Sequence, residues 1–178
     1  MEAPGDEQLM LAYGRGDAGA FETLYRRHRG PLYRFVLRAL KQRSAAEELF
    51  QEVWMRVIES RSRYAPQARF STWLYTIAHN LLVDHWRKKG LAIAALDTED
   101  VALESANPAR QAEARESLAR LLQAIEALPP AQREAFLLHE EAGMTVAEIA
   151  AVTGAGEEAA KSRLRYAMAK LKAALGDE

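Results

Sequence analysis

The stretch from Phe70 to Lys89 combines four aromatic side chains, an asparagine and a basic end within one helix-length run. At about 100° per residue its apolar residues predict one core-facing stripe: Phe70, Leu74, Ile77 and Leu81. Its polar residues fall on another face: Thr72, Thr76, Asn80 and Arg87. Aromatic rings stack on unpaired bases, amides and hydroxyls hydrogen-bond base edges, and basic side chains neutralise phosphates. The run therefore suits single-stranded nucleic acid, although on its own an ordinary amphipathic helix is the better explanation.

Composition favours a helical protein without redox chemistry of its own. The chain has 178 residues, enough for one medium domain or two small ones, and is rich in Ala, Leu, Glu and Arg. It has no cysteine, which excludes disulfides and thiolate zinc sites. Neither a membrane-spanning run nor a signal-peptide pattern occurs in the sequence, so we expect a cytoplasmic protein without membrane insertion.

The net charge of -1 conceals a segregation of charge along the chain. Residues 21–90 carry fourteen Lys/Arg against six Asp/Glu, a balance of +8 that is typical of a surface facing nucleic acid. Residues 1–20, 91–110 and 111–178 each sum to -3. Within the last segment, Lys161 to Lys172 holds five basic residues and no acidic one. Positive charge thus lies in two separate places.

Helical periodicity divides the chain into two helical units. In the first unit it predicts helices over 6–14, 18–29, 31–41, 45–60 and 70–88. Gly30-Pro31 is expected to separate two of them, and Ser44 with Glu47 has the spacing of a capping box. In the second unit the predicted helices are 109–128, 130–142, 145–153 and 157–175. The intervening residues 90–110 are acidic and aperiodic, and we expect a flexible linker there.

The helix predicted over 45–60 has an apolar inner face and a polar outer strip. The inner face is Leu49, Val53, Trp54 and Val57. The outer strip carries Glu48, Gln51, Glu52 and Glu59, which is either solvated surface or a protein contact. Solvated surface is the better default, because charged outer faces are the rule.

The end of the chain has the pattern of a helix-turn-helix. Thr145 and Glu148 form a second capping box, Gly154 permits a tight turn, and the long helix that follows is basic. Because the turn glycine, the small Ala150 and the basic second helix coincide, this reading is better than a generic helical hairpin.

Three motifs in order resemble the extracytoplasmic-function (ECF) sigma factors, which direct bacterial RNA polymerase to particular promoters. AEELFQEVWMRV is similar to the region 2 helix that docks on the polymerase β′ clamp helices. FSTWLYTIAHNLLVDHWRKK is similar to the helix that melts the -10 element, and the segment from Leu128 to Leu171 is similar to region 4, which reads the -35 element. The resemblance implies an all-α fold with region 2 over residues 1–89, a flexible linker over 90–110 and region 4 over 111–178.

The resemblance also implies roles for individual residues. Docking on core polymerase would involve Glu48, Leu49, Gln51, Glu52 and Trp54. Contacts to the -10 element would come from Tyr64, Arg69, Trp73, Thr76, Asn80, Arg87 and Lys88. Contacts to the -35 element would come from Thr145, Glu157, Glu158, Lys161, Ser162, Arg163 and Arg165. Trp73 is equally compatible with a place in the core. For the acidic start of the last helix, stabilisation of the helix end competes with reading of cytosine.

The expected partners are core RNA polymerase, through its β′ clamp helices and β flap, promoter DNA and an anti-sigma factor; no cofactor or metal is expected. The chain departs from many relatives at Thr76, where they have Arg, and at Tyr64-Ala65-Pro66, where they have Phe-Arg-Gly.

Two alternatives come from other classes. A duplex-binding regulator that uses only the helix-turn-helix would leave the basic first half unexplained. A helical enzyme using Asp84-His85, His79 and His28 fits poorly, because these residues match no metal-binding pattern and Asp84 has a closer partner in Arg87.

Overall fold

The computed structural model describes residues 2–90 and 113–176, and in those residues all regular structure is helical. The helices are α1 (Asp6–Gly14), α2 (Ala18–Leu40), α3 (Arg43–Ser60), α4 (Phe70–Lys88), α5 (Glu113–Ala127), α6 (Pro130–Glu140), α7 (Val146–Thr153) and α8 (Glu157–Leu175). This confirms the expected all-α fold in two units, α1–α4 and α5–α8. Apart from Gly90, the predicted linker over 90–110 lies outside the described residues, as does the first part of the helix predicted over 109–128.

The N-terminal unit is held by an apolar and aromatic core in which consecutive helices pack on one another. Phe35 and Phe70 are fully buried, and the ring of Tyr75 meets the ring of Phe35 edge-on at 5.2 Å between centroids. A second aromatic group, formed by Tyr25, Phe50 and Trp54, joins α2 to α3. Edge-to-face pairs of this kind add about 1 kcal/mol each to the effect of burial.

The predicted break at Gly30-Pro31 is wrong, because α2 runs through it as one helix of 23 residues. Proline lacks an N–H and disfavours a helical residue before it, through clashes with that residue's N–H and Cβ. Gly30 has no Cβ, which reduces the clash. Leu24 and Leu32, on either side of the proline, are both fully buried in the same core. Tertiary packing thus outweighs the local signal to stop.

The predicted capping box at Ser44 is also wrong. Helix α3 begins at Arg43, so that Ser44 lies inside the first turn, and Gln42 occupies the N-cap position without a side-chain cap. The carboxylate of Glu47 accepts a hydrogen bond from Arg43 Nε at 3.1 Å instead. The predicted inner face of this helix is correct: Leu49, Val53, Trp54 and Val57 are all buried.

The buried stripe of α4 is wider than predicted. Phe70 and Leu74 are fully buried as expected, but Ile77 and Leu81 are only half-buried. The rest of the buried stripe is Tyr75, Ala78, Leu82 and Trp86. The reason is that α4 contacts α3 on one side and α7 on another, which a single amphipathic stripe does not anticipate.

The C-terminal unit contains the predicted helix-turn-helix. Thr145 caps α7 by accepting a hydrogen bond from Glu148 N, and Glu148 accepts one from Thr145 N, which confirms the capping box. Gly154 ends α7 with a φ of 69°, a left-handed conformation that favours glycine. Ile149 and Ala160 are fully buried where α7 and α8 meet. Pro130 occupies the start of α6 as predicted.

Helix α6 joins the two units, because it packs on α8 and also on α2. Its residues 131–138 are all buried, including three polar side chains: Gln132, Arg133 and Glu134. The guanidinium of Arg133 donates to four carbonyl oxygens, those of Ala39, Ile125, Glu126 and Leu128. It thereby neutralises the C-terminal ends of α2 and α5 at once. Burial lowers the pKa of Arg133 to about 10, so the side chain remains charged at neutral pH.

We expect Arg133→Met to lower the free energy of unfolding by about 3 kcal/mol, because buried carbonyls would lose their donor. Arg26→Met, on the exposed side of α2, is the matched control and should change stability by less than about 0.5 kcal/mol. Urea unfolding followed by circular dichroism measures both. Equal stability of the two variants would show that the Arg133 bonds contribute nothing.

Candidate nucleic-acid interface

A surface cavity of ≈ 550 Å³ lies where the loop 61–69 meets the first half of α4. Tyr64, Trp73 and Thr76, three of the predicted -10 contacts, all line it. Thr72 and Gln67 contribute polar atoms to the same wall. The structure thus gathers these residues around one aromatic and polar recess, termed the base cavity because such a lining suits an unpaired base.

Tyr64 and Trp73 form the aromatic wall of this cavity. Their rings meet edge-on at 5.0 Å between centroids, and Phe70 stands behind both. The Tyr64 side chain is 9% exposed, and its hydroxyl has no hydrogen-bond partner among the described residues. Burial, followed by the charges of Glu7 and Asp6, raises the pKa of Tyr64. Trp73 is half-buried, so it both packs against the core and faces the cavity.

The other predicted -10 contacts lie along α4 outside the cavity lining. Arg69 is exposed and pairs with Glu148 of α7 at 3.2 Å. Asn80 is exposed one turn beyond Thr76. Arg87, at the end of α4, faces Asp84 at 3.9 Å, the pairing expected from the sequence. These positions give a polar and basic track leading away from the cavity.

The predicted docking helix α3 presents Glu48, Gln51 and Glu52 to solvent. Leu49 and Trp54, predicted as contacts on the same helix, are buried in the core at 7% and 5% exposure. They therefore pack beneath the strip, although Leu49 also reaches the groove between α3 and α4. A groove of ≈ 320 Å³ between α3 and α4 is lined by Glu48 and Glu52 on one side.

Lys88 lines the opposite side of this groove, so it lies with the predicted docking residues and not with the base cavity. His85 lines the groove too, and burial together with Lys89 and Lys88 lowers its pKa. Met55, on the neighbouring face of α3, is 51% exposed and was not singled out from the sequence. The available sequence signal for Met55 was a large apolar residue on the charged outer face of a helix.

Apart from Thr145, the predicted -35 contacts lie in the first half of α8. Glu157, Glu158, Lys161 and Arg165 are exposed, whereas Ser162 and Arg163 are half-buried. Arg163 also lines a cavity of ≈ 290 Å³ between α4, α6 and the turn before α8. The guanidinium of Arg165 lies over the ring of Tyr166 at 5.3 Å. Thr145 acts as the cap of α7, a structural role in addition to any contact with phosphate.

Three acidic residues of the C-terminal unit, spaced seven apart, pair with basic residues of the N-terminal unit. Glu134 hydrogen-bonds His79 Nδ1, Glu141 pairs with Arg34 at 2.9 Å, and the third is the Arg69–Glu148 pair. Sequence reasoning missed these pairs; the seven-residue repeat of glutamate at 134, 141 and 148 is the signal that was available. Ala151 of α7 also lines the base cavity. The C-terminal unit thus lies across the face that carries the -10 candidates.

Two family matches, one in each helical unit, identify a factor of the sigma-70 type. The family description "Sigma-70 region 2" matches residues 24–91, and "Sigma-70, region 4" matches residues 118–171. The chain belongs to the ECF sigma factors, and its function is promoter-specific initiation of transcription by RNA polymerase.

Relatives support this assignment over nearly the whole chain. The sequence is 36% identical over 171 residues to RNA polymerase sigma factor CarQ of Myxococcus xanthus, covering 94% of this chain and 96% of that protein. It is 31% identical over 166 residues to ECF RNA polymerase sigma factor BldN of Streptomyces coelicolor, covering 92% of this chain and 63% of BldN. BldN is thus longer than the matched part.

Among solved structures, CnrH in complex with the cytosolic domain of CnrY is similar, with a TM-score of 0.70 and 25% identity. The match covers 96% of each chain, so it includes both helical units. Within residues 2–90 and 113–176, no helix is long and apolar enough to cross a membrane. The same residues contain no group of three or more His, Asp or Glu side chains placed to hold a metal ion.

We expect Glu141→Arg to push the two units apart, because it would place two guanidinium groups against each other. The double change Arg34→Glu with Glu141→Arg restores an opposite pair and should restore the contact. Since the chain has no cysteine, Ser62→Cys and Ala173→Cys, both at exposed positions, provide sites for a fluorescent donor and acceptor. Energy transfer then reports the fraction of separated molecules.

An exposed pair contributes about 0.2–1 kcal/mol, so the single reversal should raise the separated fraction by up to about fivefold. Glu140→Arg, at the exposed neighbouring position, is the matched control. If the control and Glu141→Arg lower energy transfer equally, the effect is one of net charge and the pair does not hold the units together.

Proposed function

We propose that residues 1–89 act as region 2 and residues 111–178 as region 4, joined by a linker over 90–110. Region 2 docks on core polymerase and captures unpaired -10 bases, and region 4 enters the -35 major groove. The observation that carries this proposal is the cavity lined by Tyr64, Trp73 and Thr76. It lies beside the first half of α4, a helix whose exposed residues are polar or charged. Its aromatic wall offers about 1–3 kcal/mol per stacked base, enough to offset much of the energy needed to unstack one.

Some of the predicted -10 contacts line the cavity, and the others lie further along the same surface. Thr76 lines it, and Asn80 and Arg69 lie nearby; all three meet the bases or backbone of the same strand once Arg69 leaves Glu148. Arg87 and Lys88 lie further along α4, where they neutralise phosphates. The cavity must be uncovered for this, so promoter binding requires the C-terminal unit to move away from α4.

Region 4 presents Lys161 and Arg165 for phosphates, whereas Ser162 and Arg163 are half-buried on α8. The start of α8, Glu157 and Glu158, stabilises the positive end of the helix or accepts a hydrogen bond from cytosine N4. Thr145, at the start of α7, lies where the first helix of such a motif crosses the backbone.

The partners of this factor are core polymerase, through the β′ clamp helices and β flap, and promoter DNA. We further propose an anti-sigma factor as a partner, since the similar chain CnrH was solved with the cytosolic domain of CnrY. The chain acts in the cytoplasm as a specificity factor and catalyses no reaction itself. It uses no cofactor.

Transcription by purified core polymerase with and without this protein tests the proposal. Promoters are selected from a randomised template library by the reconstituted holoenzyme. Transcripts that start at discrete sites only when both components are present support it. Binding of duplex DNA by the protein alone, without any polymerase-dependent transcript, would establish the duplex-binding regulator instead.

Glu52→Lys should lower affinity for core polymerase by about tenfold, because it reverses a charge in the exposed strip of α3. The helix should remain folded, since the pair that Glu52 makes with Arg56 at 3.3 Å is exposed. Glu22→Lys, at an exposed position of α2, changes net charge equally and is the control. Titration of labelled core polymerase with each variant gives the affinities; an unchanged affinity for Glu52→Lys excludes this strip from docking.

Asn80→Ala should lower affinity of the holoenzyme for a template with a pre-melted -10 element by about fivefold, the equivalent of one hydrogen bond. Binding to fully duplex promoter before melting should change less, because the Asn80 amide meets bases only after strand separation. Filter binding with both templates gives the comparison. If the pre-melted template binds the variant and the wild type equally, Asn80 does not read bases.

A further inference from the structure

Helix α1 contacts both ends of the loop that walls the base cavity. The loop 61–69 begins at Arg61, directly after α3, and ends where Phe70 starts α4. At the first end, Gly14 lies so close to the backbone of Arg61 that a Cβ there would stand 2.5 Å from its carbonyl oxygen. The Arg61 guanidinium also lies over the ring of Tyr13 at 5.8 Å.

At the other end, Glu7 acts as a cap for α4 from outside the helix. Its Oε1 accepts a hydrogen bond from Phe70 N at 2.8 Å. The N-cap residue of α4, Arg69, has no capping side chain, so the free N–H groups of the first turn depend on groups from elsewhere. A carboxylate is the favoured partner there because the helix dipole is positive at this end.

Helix α1 is itself held in place by ion pairs between its first residue and α2. Asp6 pairs with Arg27 at 2.9 Å and with His28 at 2.7 Å, both on α2. The His28 ring in turn lies 5.1 Å from the ring of Phe70. Leu9 and Met10 of α1 are buried in the core. The carboxylate of Glu7 is therefore held by a rigid element and not by a loose terminus.

We propose that Glu7 is a positioning residue for capture of the -10 strand. By holding Phe70 N, it fixes the start of α4 and hence the spacing between Tyr64 on the loop and Trp73 one turn into the helix. Its charge also contributes to the raised pKa of Tyr64, which indicates that it lies near the cavity wall. Nothing in the region 2 match assigns this role, since that match begins at residue 24. The inference rests on the proposed function of the cavity.

The test uses reconstituted holoenzyme and a pre-melted promoter template selected with the wild-type protein. Glu7→Ala should weaken template binding by about fivefold, a typical effect of losing a helix cap. Glu7→Gln keeps an acceptor oxygen at the same reach and should bind within about twofold of wild type. Affinity for core polymerase should be the same in all three, because α3 and its exposed strip are untouched. Glu22→Ala, at an exposed position of α2, removes the same charge and is the control; it should behave as wild type.

Amide hydrogen exchange provides a second, direct measurement. In Glu7→Ala the Phe70 amide should lose protection while amides later in α4 keep theirs. If Glu7→Ala does not fold, Glu7→Asp takes its place, since it keeps the charge but is one methylene too short to reach Phe70 N.

If the wild type and Glu7→Ala bind the template equally, the positioning role is overturned and the proposed function of the cavity is unaffected. An equal loss of template and core affinity also overturns it, since that indicates a general defect of folding. Failure of the wild-type holoenzyme to bind the template at all refutes the proposed function of the cavity instead.

Discussion

Buried polar side chains of α6 link the two halves of this molecule. Gln132, Arg133 and Glu134 are all buried, and two of them bond the N-terminal unit: Arg133 at the Ala39 carbonyl and Glu134 at His79. Arg133 is satisfied by four carbonyls and Glu134 by His79, whereas Gln132 Oε1 has no partner among the described residues. Leaving such an atom dry costs about 1–3 kcal/mol. An interface of this composition resembles a transient contact between proteins more than a permanent core, which makes separation of the units energetically accessible.

The same interface uses groups that the proposed mode of promoter binding also needs. Arg69 is paired with Glu148, and Ala151 lines the cavity that carries Tyr64 and Trp73. One set of basic and aromatic side chains therefore has two possible partners: the glutamates of the C-terminal unit, or the phosphates and bases of a melted strand. Under the proposed function, contact between the units and capture of the -10 strand compete directly, because both require the same surface of α4.

Structural features that depend on local sequence pattern were predictable, whereas features that depend on contact between distant segments were not. The helix-turn-helix, the Thr145 capping box and the inner face of α3 are encoded within a few turns, and all were predicted correctly. Continuity of α2 through Pro31, the burial of Trp86 and the roles of Glu134 and Glu141 arise only when helices far apart in the chain meet. The base cavity was partly predictable, since family resemblance located Tyr64 and Trp73, but the burial of Tyr64 was not.

The segregation of charge seen in the sequence has a physical consequence in this fold. The basic excess of residues 21–90 is met in part by glutamates of the C-terminal unit, but the contacts differ in their exposure to solvent. The side chains of Arg34 and Arg69 are 53% and 71% exposed, so salt screens their pairs. The Glu134 side chain, at 4% exposure, and the carbonyl bonds of buried Arg133 are shielded from it. Salt alone therefore weakens the rim of the interface without opening its centre, whereas a macromolecular partner that binds the N-terminal unit more tightly than α6 and α7 do displaces both.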